Sequence, residues 1–402
     1  MSSLPTPSEA AFQHSSTVLE LIRAEIATAG GWISFAHYME LALYAPGMGY
    51  YSGGAAKFGE AGDFVTAPEI SPLFGRAVAA QAAQVLQLMD DGSGDILEPG
   101  AGTGKLALDL LLELEKLGSL PRRYFILEVS AELQQRQRQL FEKFASHLLP
   151  LMVWLDHLPA KFNGLILANE VLDAMPVHLV AWRDASLFER GVTWGGDNLR
   201  WIERALTEGE PNGNLLEVAR ELHPRTDPGS GDAGDDLSNY VSEISLATRG
   251  FMRTLAHVLQ QGAIVLIDYG FGRGEYYHPQ RNRGTLMCHY RHHAHDDPFY
   301  LPGLQDITSH VDFSAIAGAA TDAGLELLGY TTQANFLINC GITEILARTS
   351  VEDVKDYLPL ANQLQKLASP AEMGELFKVV ALGKNIRQPL TGFTRGDKSR
   401  ML

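Results

Sequence analysis

The chain carries a glycine-rich turn between a predicted strand and a predicted helix. Residues 95–105 read Asp-Ile-Leu-Glu-Pro-Gly-Ala-Gly-Thr-Gly-Lys, which places glycines at Gly100, Gly102 and Gly104. Glycine adopts backbone conformations that other residues avoid, and it lets a ligand approach the main chain closely. The helix that follows directs free N–H groups and the positive end of its dipole at such a ligand. The turn therefore predicts a binding site for a small molecule.

The glycine spacing and a neighbouring acid narrow the ligand class. Dinucleotide sites have the spacing G-x-G-x-x-G and present the helix N-terminus to a pyrophosphate. Here the spacing is G-x-G-x-G, and Glu98 stands two residues before the first glycine, where it would repel a phosphate. The same carboxylate suits the ammonium and sulfonium groups of S-adenosylmethionine. We therefore predict S-adenosylmethionine as the cofactor, and a nicotinamide dehydrogenase is the disfavoured alternative.

Two further acids follow the next predicted strands. Glu128 lies 24 residues after Gly104 (128 − 104), and Asp156 follows the third strand. In nucleotide-binding folds an acid at the second strand end binds the ribose hydroxyls. We predict this role for Glu128, and we predict that Asp156 binds the adenine amino group. The alternative is that both residues cap the helices that follow them.

The elements around these motifs alternate between strands and helices. Such alternation predicts a parallel sheet with helices on both faces, joined by right-handed crossovers. Helices are predicted over residues 18–28, 71–89, 105–116, 131–146 and 240–261. Strands are predicted over residues 95–98, 124–129, 151–155, 164–168, 262–268, 325–331 and 377–383.

The overall composition excludes several classes of protein. The chain has 402 residues and a formal net charge of −16, which argues against a nucleic-acid partner. No apolar run approaches the roughly 20 residues of a membrane-spanning helix, so no membrane insertion is expected. Cys288 and Cys340 have no metal-like spacing, and the N-terminus shows no signal-peptide pattern. We therefore expect a cytoplasmic protein. The sequence does not predict its oligomeric state.

Longer blocks of the sequence resemble a known family. They are GDFVTAPEISPLFG at 62–75, LEPGAGTGKLA at 97–107, LANEVLDAMPV at 167–177, IDYG at 267–270 and LQDITSHVDF at 304–313. On these blocks the chain resembles the class I methyltransferases. More narrowly, it resembles the MidA family, which includes the mitochondrial arginine methyltransferase of complex I assembly.

The resemblance implies a fold and a domain organisation. The fold is α/β and Rossmann-like, with a seven-stranded, mostly parallel sheet, a helical N-terminal extension and inserted segments. We expect the extension, with a loop that closes over the cofactor, over 1–90 and the S-adenosylmethionine-binding domain over 91–384. Inserted substrate-side segments are expected at 184–236 and 271–312, and a flexible tail at 385–402.

The resemblance also implies an acceptor, an arginine on a protein such as a respiratory complex I subunit. An arginine is already charged, and carboxylates orient its planar fork bidentately. Glu170 and Asp173 follow the fourth predicted strand, where the transferred methyl group is expected, and Asn169 is expected on the cofactor side. Glu170 and Val171 stand where the N-P-P-aromatic methyltransferases of amide and base nitrogens have prolines.

Two other segments carry candidate site residues. His310 and Asp312 resemble the histidine-containing loop of arginine methyltransferases, and the pair could relay the proton lost after methylation. The alternatives are a packing role for His310 and a helix N-cap for Asp312. In the N-terminal loop the resemblance places Asp63 near the amino-acid end of the cofactor, with Thr66 close by. The alternative there is a structural turn.

A group of histidines between residues 289 and 295 could suggest a metal. Methyl transfer needs none, and Arg291 lies among the histidines, so we expect no metal site and prefer a solvated or substrate-contacting loop. The main prediction is a protein-arginine methyltransferase. Two alternatives remain open, a methyltransferase of small molecules or other side chains, and a cofactor-binding assembly factor with secondary catalysis.

Overall fold

A computed structural model gives the arrangement of the strands. It describes residues 4–53, 65–90, 92, 94–183, 186–209, 214–222 and 240–402. The strands are β1 (Ile33–Ser34), β2 (Asp95–Pro99), β3 (Tyr124–Leu127), β4 (Met152–Leu155), β5 (Phe162–Asn169), β6 (His178–Arg183), β7 (Ser186–Gly195), β8 (Asn198–Ala205), β9 (Tyr240–Ile244), β10 (Leu259–Phe271), β11 (Met287–Tyr290), β12 (His293–His295), β13 (Asp306–Thr308), β14 (Val311–Asp312), β15 (Glu326–Thr332) and β16 (Phe377–Lys384).

The helices lie between these strands and around them. Among the described residues, no helix is both long enough and apolar enough to span a bilayer. The helices are α1 (Glu9–Thr28), α2 (Phe35–Tyr44), α3 (Ala67–Ile70), α4 (Pro72–Gln87), α5 (Lys105–Lys116), α6 (Ala131–Phe144), α7 (Leu215–Glu221), α8 (Leu246–Val258), α9 (Arg273–Tyr276), α10 (Phe313–Asp322), α11 (Gln333–Asn339), α12 (Ile342–Leu346), α13 (Val354–Ala368) and α14 (Met373–Leu376).

The largest sheet has the order β15-β16-β10-β5-β2-β3-β4, and β14 adds a two-residue pairing to β10. Strands β4, β3, β2, β5 and β10 run parallel to one another. Strand β16 runs antiparallel to both β10 and β15. This is the predicted Rossmann-like fold with seven principal strands, most of them parallel. The predicted final strand pair is β15 and β16.

The middle parts of the central strands are runs of apolar residues because helices cover both faces of the sheet. In β10, the side chains of Ala263, Val265 and Ile267 pack into the hydrophobic core on one face of the sheet. Residues of α4 and α5 belong to the same core. Ile264 and Leu266, which point the opposite way, join the second core with α8 and α10. Successive side chains of a strand alternate between faces, so one strand supplies both cores.

A second, antiparallel sheet lies in the region where the sequence showed no regular pattern. Its order is β1-β7-β6-β9, with β8 paired to β7. Helices α1 and α2 pack on it through apolar residues such as Ile22, Phe35 and Leu43. The predicted helix over 240–261 is wrong at both ends, because residues 240–244 form β9 and residues 259–261 begin β10. Pairing with β6 determines the structure of β9, and periodicity does not reveal such a long-range contact.

The C-terminal residues pack against the large sheet, in contrast to the flexible tail expected over 385–402. Leu390 is buried, and the ring of Phe393 contacts that of Phe336 at a centroid distance of 5.6 Å, with 60° between the ring planes. The Lys398 backbone N–H donates to the carbonyl oxygen of Tyr330 at 2.6 Å. The basic composition suggested a frayed end, but a few apolar residues and several hydrogen bonds to Tyr330 and Thr331 of β15 hold this segment in place.

Candidate active site

A cavity of about 460 Å³ opens at the carboxyl ends of β2, β3 and β5, where open α/β sheets bind ligands. One part of its wall comes from the glycine turn with Glu98 and Glu128, and we call this part the cofactor end. The other part comes from the segment after β5 and from the chain before α3, and we call it the acceptor end. The acceptor end is lined by Tyr44, Tyr51, Glu170 and Asp173.

The glycine turn has the backbone conformation that its sequence predicts. Gly100, Gly102 and Gly104 have φ values of 66°, 53° and 84°, a left-handed region that glycine enters without strain. A Cβ atom at Gly104 would lie 3.1 Å from Cγ of Gln137, and one at Gly100 would lie 3.1 Å from a methyl group of Val171. The turn therefore needs glycine both for its backbone conformation and for space.

Glu98 ends β2 at the cavity wall and is 3% exposed. Tyr124 donates its hydroxyl hydrogen to Oε2 of Glu98 at 2.7 Å. Burial raises the pKa of Glu98 to about 7, the Tyr124 hydrogen bond opposes this, and the charge of Glu128 adds to it. A cationic ligand beside Glu98 would stabilise its ionised form.

Glu128 also faces the cavity, whereas Asp156 does not. Oε1 of Glu128 accepts a hydrogen bond from the Ser130 backbone N–H at 2.9 Å, and burial raises the pKa of the carboxyl group. The cap of the following helix is Ser130, so Glu128 does not take the alternative capping role. Asp156 is absent from the cavity lining; its side chain is 84% exposed and contacts His157. The predicted adenine contact of Asp156 is thus not supported, because β4 ends at the rim.

Glu170 follows β5 with a φ of 52°, a strained value for a residue with a side chain. Its backbone N–H donates to the Ile267 carbonyl oxygen of β10 at 2.9 Å, which holds the turn in place. Oε1 accepts hydrogen bonds from the Ala67 backbone N–H at 3.3 Å and from Nδ2 of Asn169 at 3.0 Å. The carboxyl group is partly accessible from the cavity but surrounded by protein. Burial and then the Asp173 charge raise its pKa to about 8.

Asp173 is buried beside Glu170, and Asp268 lies behind both. Burial raises the pKa of Asp173 to about 6, although a hydrogen bond with Tyr269 opposes the shift. Oδ2 of Asp268 accepts the backbone N–H groups of Leu172 at 2.9 Å and of Asp173 at 3.3 Å. Asp268, in the C-terminal part of β10, therefore holds the loop that presents the two other carboxyl groups.

The residues at the cofactor end fit S-adenosylmethionine. The turn leaves its main chain open to a ligand, and two carboxyl groups face the position of a cation and of ribose hydroxyls. The buried Oδ1 of Asn169 has no hydrogen-bond partner among the residues that the structure describes. An orphaned buried acceptor at a cavity wall is a position for a ligand donor.

The N-terminal loop reaches the cavity through its described part. Thr66 lines the cavity and precedes α3, and the Oγ1 hydroxyl of Thr103 donates to Oε1 of Glu69. This contact joins the loop to the glycine turn. Asp63, the other residue that we predicted near the cofactor, lies outside the described residues.

His310 and Asp312 do not line this cavity, contrary to the predicted proton relay. They line a separate pocket of about 20 Å³. Oδ1 of Asp312 accepts the Ala315 backbone N–H at 3.0 Å and caps α10, which is the alternative that the sequence left open. The His310 ring contacts Tyr269 and Phe271 at centroid distances of 5.1 Å. Burial, then the charges of Arg281 and Lys378, lower the pKa of His310 to about 4, so the ring is neutral.

The histidines of residues 289–295 lie in the hairpin of β11 and β12, where Tyr290 pairs with His293. Arg291 and His292 form its turn with φ values of 48° and 63°. The described residues include no group of His, Cys, Asp and Glu side chains arranged to hold a metal ion. The hairpin also pairs with β13, which carries Asp306 towards the acceptor end.

Several residues around the acceptor end were not predicted from the sequence. Asp268 and Asp306 both lie in the family blocks, and Asp268 ends a predicted strand, so the strand-end rule could have found it. Tyr44 and Tyr51 lie at the end of α2 and in the turns beyond it. They carry no periodic or motif signal, and only the tertiary structure brings them to the cavity.

Comparisons with known proteins identify the family. Residues 77–331, more than half of the chain, match the family described as "Putative S-adenosyl-L-methionine-dependent methyltransferase". A crystal structure of a Burkholderia thailandensis protein, described as a "likely methyl transferase" bound to S-adenosyl-homocysteine, is 49% identical with a TM-score of 0.92. A native structure of an uncharacterized protein from that organism is 48% identical with a TM-score of 0.88. Both comparisons cover 100% of each chain.

Curated relatives are more distant. "Protein arginine methyltransferase NDUFAF7, mitochondrial" of Danio rerio is 27% identical, over 91% of this chain and 90% of the relative. The Homo sapiens protein of the same name is 27% identical, over 88% of this chain and 80% of the relative.

These relatives contradict the expected cytoplasmic location, because they are named as mitochondrial proteins. The expectation rested on an N-terminus without a recognisable targeting pattern and on few cysteines. Such absences do not determine a compartment, and we withdraw the prediction.

The predicted cofactor, S-adenosylmethionine, agrees with both the matched family and the S-adenosyl-homocysteine complex. The predicted enzyme class agrees with them as well. The chain belongs to this family of S-adenosylmethionine-dependent methyltransferases, as its resemblance to the MidA family indicated.

Proposed function

We propose that the protein is a protein-arginine N-methyltransferase. The observation that carries the proposal is the pair Glu170 and Asp173 at the acceptor end. Among the described residues, no lysine, arginine or histidine side chain forms an ion pair with either carboxyl group. Two neighbouring carboxyl groups without a cation of their own form a site for a cationic acceptor, and a guanidinium group has enough N–H donors to pair with both.

The hydrogen bonds around Glu170 prepare it for this acceptor. Both of the hydrogen bonds given above end on Oε1, from Ala67 and Asn169, so Oε2 stays available to the guanidinium as far as the described part of the chain is concerned. The rigid turn fixes the direction of the side chain, because the strained backbone is tied to β10. Holding the acceptor nitrogen in line with the methyl donor is the main task of such an enzyme.

When bound, S-adenosylmethionine supplies an electrophilic methyl group on a sulfonium. Glu98 would hold its ammonium group, Glu128 its ribose, and the glycine turn its main-chain contacts. Glu170 and Asp173 orient the acceptor and stabilise its positive charge. Formation of the new N–C bond would break the sulfonium S–C bond and leave S-adenosyl-homocysteine as a neutral thioether. The acceptor nitrogen must then lose a proton, and the raised pKa of Glu170, about 8, suits this carboxylate as the proton acceptor.

The names of the curated relatives support a protein acceptor, since they are protein-arginine methyltransferases. The net charge of −16 is consistent with a basic acceptor segment. Our proposal includes a respiratory-complex subunit as the substrate, on the basis of the family resemblance.

The test uses purified protein, S-adenosylmethionine labelled on the methyl group, and lysate from a strain that lacks the gene. Labelled protein bands are hydrolysed and the methylated amino acid is identified. We expect label in methylarginine with the wild-type protein, and none with Asp173→Asn. Glu115→Gln, a change to an exposed side chain beside His147, serves as the matched control.

Label in another amino acid, or in a small molecule, would refute the arginine assignment and support the alternative methyltransferase. No transfer at all despite measured binding of S-adenosyl-homocysteine would favour an assembly factor. If the Asp173→Asn variant restores the phenotype of the strain that lacks the gene, catalysis is secondary to an assembly role.

A further inference from the structure

Two tyrosines form an aromatic wall at the acceptor end. Tyr44 and Tyr51 line the same cavity as Glu170 and Asp173. Their rings lie nearly parallel, with centroids 5.4 Å apart and an angle of 21° between planes. Tyr50 packs edge-on against Tyr51 at 5.0 Å and braces the pair from outside the cavity lining.

Both hydroxyl groups of this wall are anchored. The Tyr44 hydroxyl donates to the Ala174 carbonyl oxygen at 3.0 Å, one residue after Asp173. The Tyr51 hydroxyl donates to Oδ1 of Asp306 at 2.8 Å. Neither anchor is part of the glycine turn, so the wall is attached to the acceptor end.

Asp306 is a buried carboxylate behind the wall. It is 1% exposed, and Oδ1 also accepts the Ile307 backbone N–H at 2.9 Å. Burial and then the charge of Asp306 raise the pKa of Tyr51, so the hydroxyl keeps its proton and remains a donor. Asp306 does not line the cavity, and it acts on an acceptor only through Tyr51 and through its charge.

The strand that carries Asp306 also supports the opposite side of the acceptor end. The backbone N–H of Ser309 donates to the Asp173 carbonyl oxygen at 3.0 Å. One segment, residues 306–309, therefore positions both the aromatic wall and one of the acceptor carboxyl groups.

We propose that the Tyr44–Tyr51 wall, with Asp306 behind it, is a subsite that selects a guanidinium group over an alkylammonium group. This inference rests on the proposed arginine acceptor. A guanidinium is planar, delocalised and weakly hydrated, and it stacks well on aromatic rings. An ammonium group is compact and strongly hydrated, so it loses more by entering a cavity of this kind. The buried charge of Asp306 strengthens the attraction of any cation to the ring of Tyr51.

The test measures binding separately from methyl transfer. Calorimetry on the complex with S-adenosyl-homocysteine compares two probes, N-acetyl-arginine amide and N-acetyl-lysine amide. We expect the wild-type complex to prefer the arginine probe by about 10-fold or more. Tyr51→Leu removes the ring and is expected to abolish the preference. Tyr357→Leu, a tyrosine of α13 outside the cavity lining, is the matched control and should leave it unchanged.

Two milder variants distinguish a specific effect on acceptor binding from a general loss of folded protein. Asp306→Asn keeps the hydrogen-bond acceptor and removes the charge, and we expect the arginine preference to fall about 3- to 5-fold. Tyr51→Phe keeps the ring and should retain most of the preference. In transfer assays, Asp306→Asn should raise the KM of an arginine peptide with little change in kcat, and the affinity for S-adenosyl-homocysteine should stay within about twofold.

Equal binding of the two probes by the wild-type complex would overturn the inference. So would an unchanged preference in folded Tyr51→Leu, or a loss of S-adenosyl-homocysteine affinity, which would assign the wall to the cofactor end. The proposed function is judged separately, by label in methylarginine. If the wild type methylates arginine without a binding preference, only the subsite inference fails; if it prefers arginine but transfers nothing to it, the proposed function fails.

Discussion

The two ends of the cavity are built in different ways. The cofactor end comes from neighbouring strands, and Glu98, the three glycines and Glu128 lie within one short stretch of chain. The acceptor end depends on distant segments of the chain. Tyr51, Glu170 and Asp173 line it, and Asp268 and Asp306 support these residues from behind. The first depends on local backbone conformation and the second on long-range packing. Changes at the two ends should therefore affect cofactor binding and methyl transfer separately.

Glu170→Gln is the largest expected perturbation, and it tests that separation directly. The amide cannot pair with the guanidinium charge or take its proton, so we expect single-turnover transfer to fall by about 100-fold or more. Binding of S-adenosyl-homocysteine, measured by titration calorimetry, should change by less than about threefold.

Glu98→Gln should give the opposite result, with affinity for S-adenosyl-homocysteine reduced by about 10-fold because a charge-assisted contact is lost. Glu115→Gln again serves as the control, since this residue is on the surface. If Glu170→Gln weakens cofactor binding as much as Glu98→Gln does, the two ends are not independent.

The acceptor end should also determine the pH dependence of the reaction. The pKa of Glu170 is raised to about 8, and only the ionised carboxylate pairs with a guanidinium. At saturating S-adenosylmethionine, where the protonation of Glu98 no longer limits cofactor binding, kcat/KM for the acceptor should thus increase with pH by about 10-fold per unit below pH 8 and then level off. Glu170→Gln should lack this limb; a flat wild-type profile between pH 6 and 8 would refute the assignment.

The same shift predicts how stability depends on pH. The folded state keeps a proton on Glu170 that the unfolded state releases above pH 4.5, so raising the pH towards 8 destabilises the fold. Denaturant unfolding of the ligand-free protein should show Glu170→Gln gaining stability relative to wild type between pH 5 and pH 8, on the order of a few kcal/mol. Unchanged relative stability would contradict a raised pKa.

Gly104→Ala should affect only the cofactor end. The residue has a φ of 84°, and a Cβ atom would approach Gln137 to 3.1 Å, so the turn must shift. We expect S-adenosyl-homocysteine affinity to fall about 5- to 10-fold. Gly118→Ala, at a φ of 65° with no atom within 4 Å of the added Cβ, carries the same kind of backbone strain away from the cavity. It should lower stability by about 1 kcal/mol and leave affinity unchanged.

His310→Asn is expected to have the smallest effect. The ring lies outside the cavity and is neutral, so single-turnover transfer should stay within about threefold of wild type. Its replacement removes ring contacts with Tyr269 and Phe271 and should reduce the melting temperature slightly. A loss of transfer close to that of Glu170→Gln would restore the proton-relay hypothesis and extend the acceptor end beyond the cavity.

The success of sequence reasoning follows the same division between the two ends. Glu98, Gly100, Gly102 and Glu128 were predicted at the cofactor end, and the structure places these four on the cavity wall. Strand ends were also a sound guide to Glu170 and Asp173. The same rule did not lead to the cavity wall for Asp156, because a position at a strand end does not determine the direction of a side chain, and its adenine contact stays a prediction.

The amino-acid sequence by itself determined the glycine turn, the alternating apolar runs of the large sheet and the S-adenosylmethionine site. These features depend on local backbone preferences and on burial patterns that repeat along the chain. Only the tertiary structure decided that Tyr44, Tyr51 and Asp306 meet at the acceptor end and that His310 stays outside. Their positions depend on packing between segments more than 100 residues apart, for which neighbouring residues carry no signal.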